Sequence, residues 1–113
     1  MSQQPNPRAR IEVYVPLRYD PAYTNTLDWV IEEFTIGFGG CTVIENIPGY
    51  YQDTLGRVID DRVSIVYTDT PLFLLDQYLA LMRYTEHLKI FLTASLYSEE
   101  AVFIAVAPIY HLA

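Results

Sequence analysis

Residues 41–68, running from Cys41 through Ile44, Pro48-Gly49, Tyr50-Tyr51 and Asp53 to Val63, Ile65 and Tyr67, limit this chain to few folds. Two arms rich in β-branched and aromatic residues flank a polar turn, Asp53-Thr54-Leu55-Gly56-Arg57, which is the signature of an antiparallel hairpin. The first arm is expected from Cys41 to about Gln52, bent at Pro48-Gly49; the second runs from Val58 to Thr68. In the second arm Arg62, Ser64, Val66 and Thr68 share one face, and Val63, Ile65 and Tyr67 the other. Arms this long are expected to project beyond the sheet in which they start.

The flanking segments complete the layout. Residues 1–9 read as a flexible N-terminal tail, and 10–113 as a single domain. In the first strand Ile11, Val13, Val15 and Leu17 alternate with Arg10, Glu12, Tyr14 and Pro16. Asp20-Pro21 reads as a breaker, with a helix starting near Thr24–Thr26 under an Asn25 cap and burying Leu27, Val30, Ile31 and Phe34. Trp29 falls off the centre of that stripe and is expected at the helix edge or in a subunit contact. Gly37-Phe38-Gly39-Gly40 ends the helix; it follows a helix and enters a strand, the reverse of a phosphate-cradling loop.

After the hairpin, Thr70-Pro71 reads as the cap and first residue of a second helix, with Leu72, Leu75, Leu79 and Met82 as its stripe, widened by Leu74, Tyr78, Leu81 and Tyr84. Residues 85–97 fit a continuation or a further short helix, with a strand hairpin as the alternative. A last strand, 101–107, is apolar on both faces and is expected to end at Pro108. The order is β-α-β-β-α-β, an α+β ferredoxin-like βαββαβ sandwich with antiparallel sheet order 4-1-3-2 and both helices on one face.

That architecture leaves one sheet face without helices. Whichever of Val102, Ile104 and Val106 or Phe103 and Ala105 points inward, the other set stays apolar, and Tyr14 and Val66 are expected to add to it. A homo-oligomer is the expected outcome, with a protein partner as a further option.

Charge and cysteine content narrow the partners. The formal net charge is −7, with a single lysine, Lys89, so nucleic acid and membrane are not expected as partners. Cys41 is the one cysteine, which rules out an internal disulfide. Met-Ser-Gln-Gln-Pro-Asn-Pro has no apolar stretch, and a cytoplasmic location is expected.

Gly-Gly-Cys-Thr-Val-Ile-Glu leading to Pro-Gly-Tyr-Tyr, then Gly56, Asp61-Arg62-Val63-Ser64-Ile65-Val66-Tyr67 and Glu100-Ala101-Val102-Phe103-Ile104, resembles small ferredoxin-like oligomers of the nitrogen-regulatory PII and CutA kind. The resemblance implies fold and oligomerisation. PII proteins hold ATP with basic residues and a long loop between strands two and three. Here that loop is short and contains only Arg57, so nucleotide binding is not carried over. Neither is CutA-like metal binding, because Cys41, His87 and His111 lack ligand spacing. No cofactor is expected.

The polar cluster to consider for chemistry is Tyr50, Tyr51, Asp53, Arg57, Asp60, Asp61 and Arg62. Paired carboxylates could exchange protons while arginine holds an anionic ligand. The alternative is a solvated hairpin tip whose charges pair across strands. Glu86-His87 and His111 are weaker candidates. Tautomerases of similar subunit shape use an N-terminal proline as base; Ser2 occupies position 2, and the first proline is Pro5. Small ferredoxin-like monooxygenases have a cavity between sheet and helices, which Tyr14, Trp29, Tyr67 and Tyr78 could line, or these residues could simply be core. Two function classes follow: a non-enzymatic, self-associating interaction or regulatory module, and a small-molecule enzyme, monooxygenase-like or acid–base, with a pocket between sheet and helices.

Overall fold

The computed structural model describes residues 6–97, 99 and 102–110. Six elements appear in chain order: β1 (Arg8–Pro16), α1 (Pro21–Phe38), β2 (Thr42–Gln52), β3 (Val58–Phe73), α2 (Tyr78–Ser95) and β4 (Phe103–Ile109). The strands form one antiparallel sheet in the order β2-β3-β1-β4, the ferredoxin-like arrangement expected from the sequence.

The inner sheet face and the helices make the core. Ala9, Ile11, Val13 and Val15 of β1 and Val66 of β3 are buried with Tyr23, Val30 and Phe34 of α1 and with Leu81, Leu88, Leu92 and Leu96 of α2 and its end. β4 turns Ile104 and Val106 to the same side, since they lie opposite Val13 and Ile11. Ser64, Thr68 and Thr70 are also buried on this face. The Thr68 hydroxyl donates to the Gly40 carbonyl at 2.7 Å, so burying it leaves no unmet polar group. Val66 is therefore core, not part of the open face as expected; it lies opposite Val13, and its parity follows from that register.

Both helix starts differ from the sequence reading. α1 begins at Pro21, with Asp20 as cap: its carboxylate accepts from the Ala22 amide at 2.9 Å. Asp20-Pro21 thus starts a helix instead of breaking one, because proline at the first helical position lacks only an amide that would go unpaired. The extra turn brings Tyr23 and Thr26 onto the buried stripe with Val30 and Phe34. At the other end Gly39, at φ +90°, closes α1 by donating its amide to Thr35.

Thr70-Pro71 does the opposite. β3 runs through both residues to Phe73, and α2 starts only at Tyr78. β1 pairs with β3 as far as Arg8 opposite Phe73, with a register shift between Arg8 and Arg10 that accommodates Pro71. The Thr70 hydroxyl accepts from the Leu72 amide at 3.1 Å, a local turn contact and not a helix cap. The α2 stripe moves accordingly: Leu81 is fully buried, whereas Leu75 and Leu79 are exposed. Residues 85–95 continue α2 without interruption.

Two strand details also differ. The irregularity in β2 lies between Ile44 and Ile47, with Asn46 at φ +56°, while Pro48 and Gly49 pair regularly with Arg62 and Asp61. Asparagine tolerates that left-handed conformation better than most residues. β4 includes Pro108, which lies opposite Ala9; an edge strand has a side on which no ladder donor is required. The expected strand start at residue 101, and His111, fall outside the described residues.

Candidate functional site

Three regions stand out: the open sheet face with its projecting arm, a charged junction at the base of that arm, and a groove between the helices.

On the open face, paired residues form rows across the sheet. One row is Ile44, Ile65, Tyr14 and Phe103, spanning all four strands. The next is Ile47, Val63 and Pro16. Phe103 is 67% exposed and Ile44 45%. Polar side chains border this apolar band on one side. Tyr14 donates to Glu12 at 2.9 Å, which raises the tyrosine pKa. Arg10 donates to both oxygens of Asp69, at 2.7 and 3.1 Å, with its guanidinium 4.2 Å from the Tyr67 ring centroid.

Beyond Pro16, β2 and β3 continue as a two-stranded arm. The projection expected from the sequence is present, and it holds the sequence-derived cluster without uniting it. Tyr50 lies opposite Asp60, and Pro48 opposite Arg62, on one face; Tyr51 opposite Ile59, and Gly49 opposite Asp61, lie on the other. Asp53 is occupied by the turn: it accepts from the Leu55 and Arg57 amides at 2.9 Å and from Arg57 Nε at 2.8 Å. The Arg57 amide foremost holds the Asp53 pKa below the usual carboxylate range. Arg62 donates to the Asn46 carbonyl at 2.9 Å. Tyr50 and Tyr51 remain exposed at 70% and 54%. Asp61 turns back toward the body, so these seven residues do not converge on a ligand.

Asp61 instead meets Arg18. The guanidinium donates to both Asp61 oxygens, at 2.8 and 3.1 Å, and lies 3.1 Å from Glu99. Tyr23 donates to the same Glu99 oxygen, and Tyr97 to Asp20 at 2.7 Å. This junction ties the end of β1, the base of the arm and the segment after α2 together. The bond from Arg18, more than any other contact, lowers the Asp61 pKa. Sequence reasoning passes over Arg18 and Glu99 because nothing in their local context marks them as partners.

The groove lies between α1 and α2. Trp29 and Glu33 line it from α1, and Tyr84, His87, Leu88 and Phe91 from α2. Trp29 stacks on Phe91, with ring centroids 3.8 Å apart and planes inclined by 25°. Tyr84 donates to Glu33 at 3.2 Å and sets its ring edge-on to Phe38. Burial and the adjacent carboxylate push the Tyr84 pKa well up, so its hydroxyl stays protonated. Trp29 does occupy a helix edge. A cavity lined by Tyr14, Trp29, Tyr67 and Tyr78, one of the two readings of these residues, does not assemble, because Tyr14 and Tyr67 lie on the opposite side of the sheet from Trp29. Among the described residues, no three histidine, cysteine or carboxylate side chains gather as a metal site, and no buried side-chain nitrogen or oxygen lacks a partner.

Solved structures share this architecture. The divalent cation tolerance protein CutA1 from Thermus thermophilus superposes with a TM-score of 0.60 at 14% identity, covering 94% of this chain and 87% of that one. CutA1 from Oryza sativa gives 0.54 at 20% identity, covering 96% and 87%. The fold is that of CutA1. At these identities the likeness to CutA1 concerns the path of the backbone alone. No family model matches the chain. No curated protein matches it in sequence. Among the described residues, no helix is long and apolar enough to cross a membrane.

Proposed function

We propose that this chain is a non-enzymatic, self-associating module whose copies meet through the open sheet face and the arm. The row Ile44-Ile65-Tyr14-Phe103 supports this reading most directly, because it crosses the whole sheet and, among the described residues, no helix covers it. A wetted antiparallel face ordinarily carries polar residues at such positions. On the arm, Tyr51 and its partner Ile59 continue the open face away from the body, and Leu55 is exposed at the tip. The charged groups nearby are engaged within the chain, Arg18 with Asp61 and Arg57 with Asp53. The arrangement therefore favours surface contact over ligand capture at the arm.

Sedimentation equilibrium at about 1–100 µM tests the reading, a range in which an interface of standard size commonly associates. A mass of two or more chains is expected. A one-chain mass throughout that range overturns the proposal.

A further inference from the structure

The groove between α1 and α2 lies on the helical side of the molecule, apart from the open sheet face. We propose that it binds a small organic cation, an alkylammonium headgroup of about the size of choline. Its volume is about 200 Å³. That is smaller than the roughly 300–1,000 Å³ of sites that enclose drug-sized ligands, so its occupant is a compact group. The lining is largely aromatic: Trp29 of α1 stacks on Phe91 of α2, which covers one face of each ring and leaves the other, and Tyr84 completes the set. Aromatic faces attract cations through the ring quadrupole, most strongly for tryptophan.

Glu33, the single carboxylate among the described lining residues, gives the groove its sign. Glu33 accepts from the Tyr84 hydroxyl, which fixes its position and uses only part of its acceptor capacity. Among the described residues, neither lysine nor arginine lines the groove. An anion would face Glu33 with no lysine or arginine beside it, and the imidazole of His87 is the one basic group among the described lining residues. A neutral apolar ligand would strip water from the carboxylate and return no interaction to it. A hydrated metal ion would need several oxygen ligands where one carboxylate stands among rings. An alkylammonium satisfies both features, with methyl groups against the rings and charge toward Glu33. The chain's net charge of −7 adds long-range attraction for any cation.

Trp29 is the only tryptophan, so its fluorescence reports from the groove itself. The whole chain is titrated with choline chloride, against sodium chloride at matched ionic strength and against 3,3-dimethylbutan-1-ol, the uncharged analogue. Choline is expected to saturate the emission change with a Kd of about 1–10 mM, and the alcohol to bind at least ~10-fold more weakly. Glu33→Gln keeps an acceptor for Tyr84 while removing the charge, and should weaken choline at least ~5-fold with an unchanged melting midpoint. A non-saturating response to choline, or equal binding of the alcohol, overturns the proposal even if the variant fails to fold. Unchanged choline affinity in folded Glu33→Gln overturns it as well.

Discussion

Replacing Phe103 by threonine tests the open face at its most exposed aromatic position. Phe103 is 67% exposed on β4, opposite Tyr14. A fully covered aromatic side chain buries roughly 150–250 Å², so about 100–170 Å² of Phe103 remains for a partner to cover. At ~25 cal/mol per Å² that is about 2.5–4 kcal/mol for each copy. A symmetric pair loses the contribution twice. If half of the area is covered in the assembly, the variant loses about 2.5–4 kcal/mol of association in all. Self-association should then weaken roughly 50- to 1,000-fold. Threonine suits an edge strand, and the side chain removed is outside the core, so unfolding of the single chain should shift by no more than about 0.5 kcal/mol. Sedimentation velocity on wild type and variant at matched concentrations, with urea unfolding as the folding control, makes the measurement. Identical distributions for the two proteins, with wild type associated, would refute the role assigned to this face.

Four further substitutions have outcomes set by the fold. Phe34→Ala empties a fully buried site between sheet and helices and should cost about 3–5 kcal/mol in chemical denaturation; a loss below about 1 kcal/mol would contradict that packing. Gly39→Ala should destabilise by about 1–2 kcal/mol, since Gly39 has φ +90° and a Cβ there would meet no atom, leaving a purely conformational cost. Gly37→Ala, equally unobstructed and inside α1, should stabilise by up to about 1 kcal/mol; thermal midpoints moving in the same direction for both variants would contradict this account. For Asp61, the Arg18 hydrogen bond lowers the folded-state pKa, so its contribution is fully present above the unfolded value of about 3.9 and is lost as pH falls through the lower folded value. Asp61→Asn should therefore be less stable than wild type at neutral pH, with the two urea midpoints converging in acid; a gap that widens on acidification would reverse the sign.

The topology was legible because period-two alternation in β1 and the hairpin, and the glycines after Phe38, are local signals. Helix starts were harder. Asp20-Pro21 and Thr70-Pro71 look alike as dipeptides, yet one caps α1 and the other lies within β3. Pairing of β3 with the first residues of β1 separates them, and that pairing is set far along the chain. Distance also hid the polar contacts: Arg18 finds Asp61 across 43 positions. The hairpin charges clustered in sequence, but strand alternation sends neighbours to opposite faces. Trp29 carried a usable hint, as an aromatic residue beside the buried stripe; its partner Phe91 depended on how the helices cross.

The extra residue at Glu45–Asn46 bears on where the arm points. Val43 and Ile44 face their β3 partners before it, and Ile47 resumes in phase immediately after it. A chain lacking Asn46 could close the ladder, with every later pair still matched. It would lose the added twist that such an insertion imposes. The distal strands would then leave the body along a different line. Aim and pairing are separately adjustable here, so a one-residue deletion could redirect where Tyr50 and Tyr51 reach without changing what they are paired with.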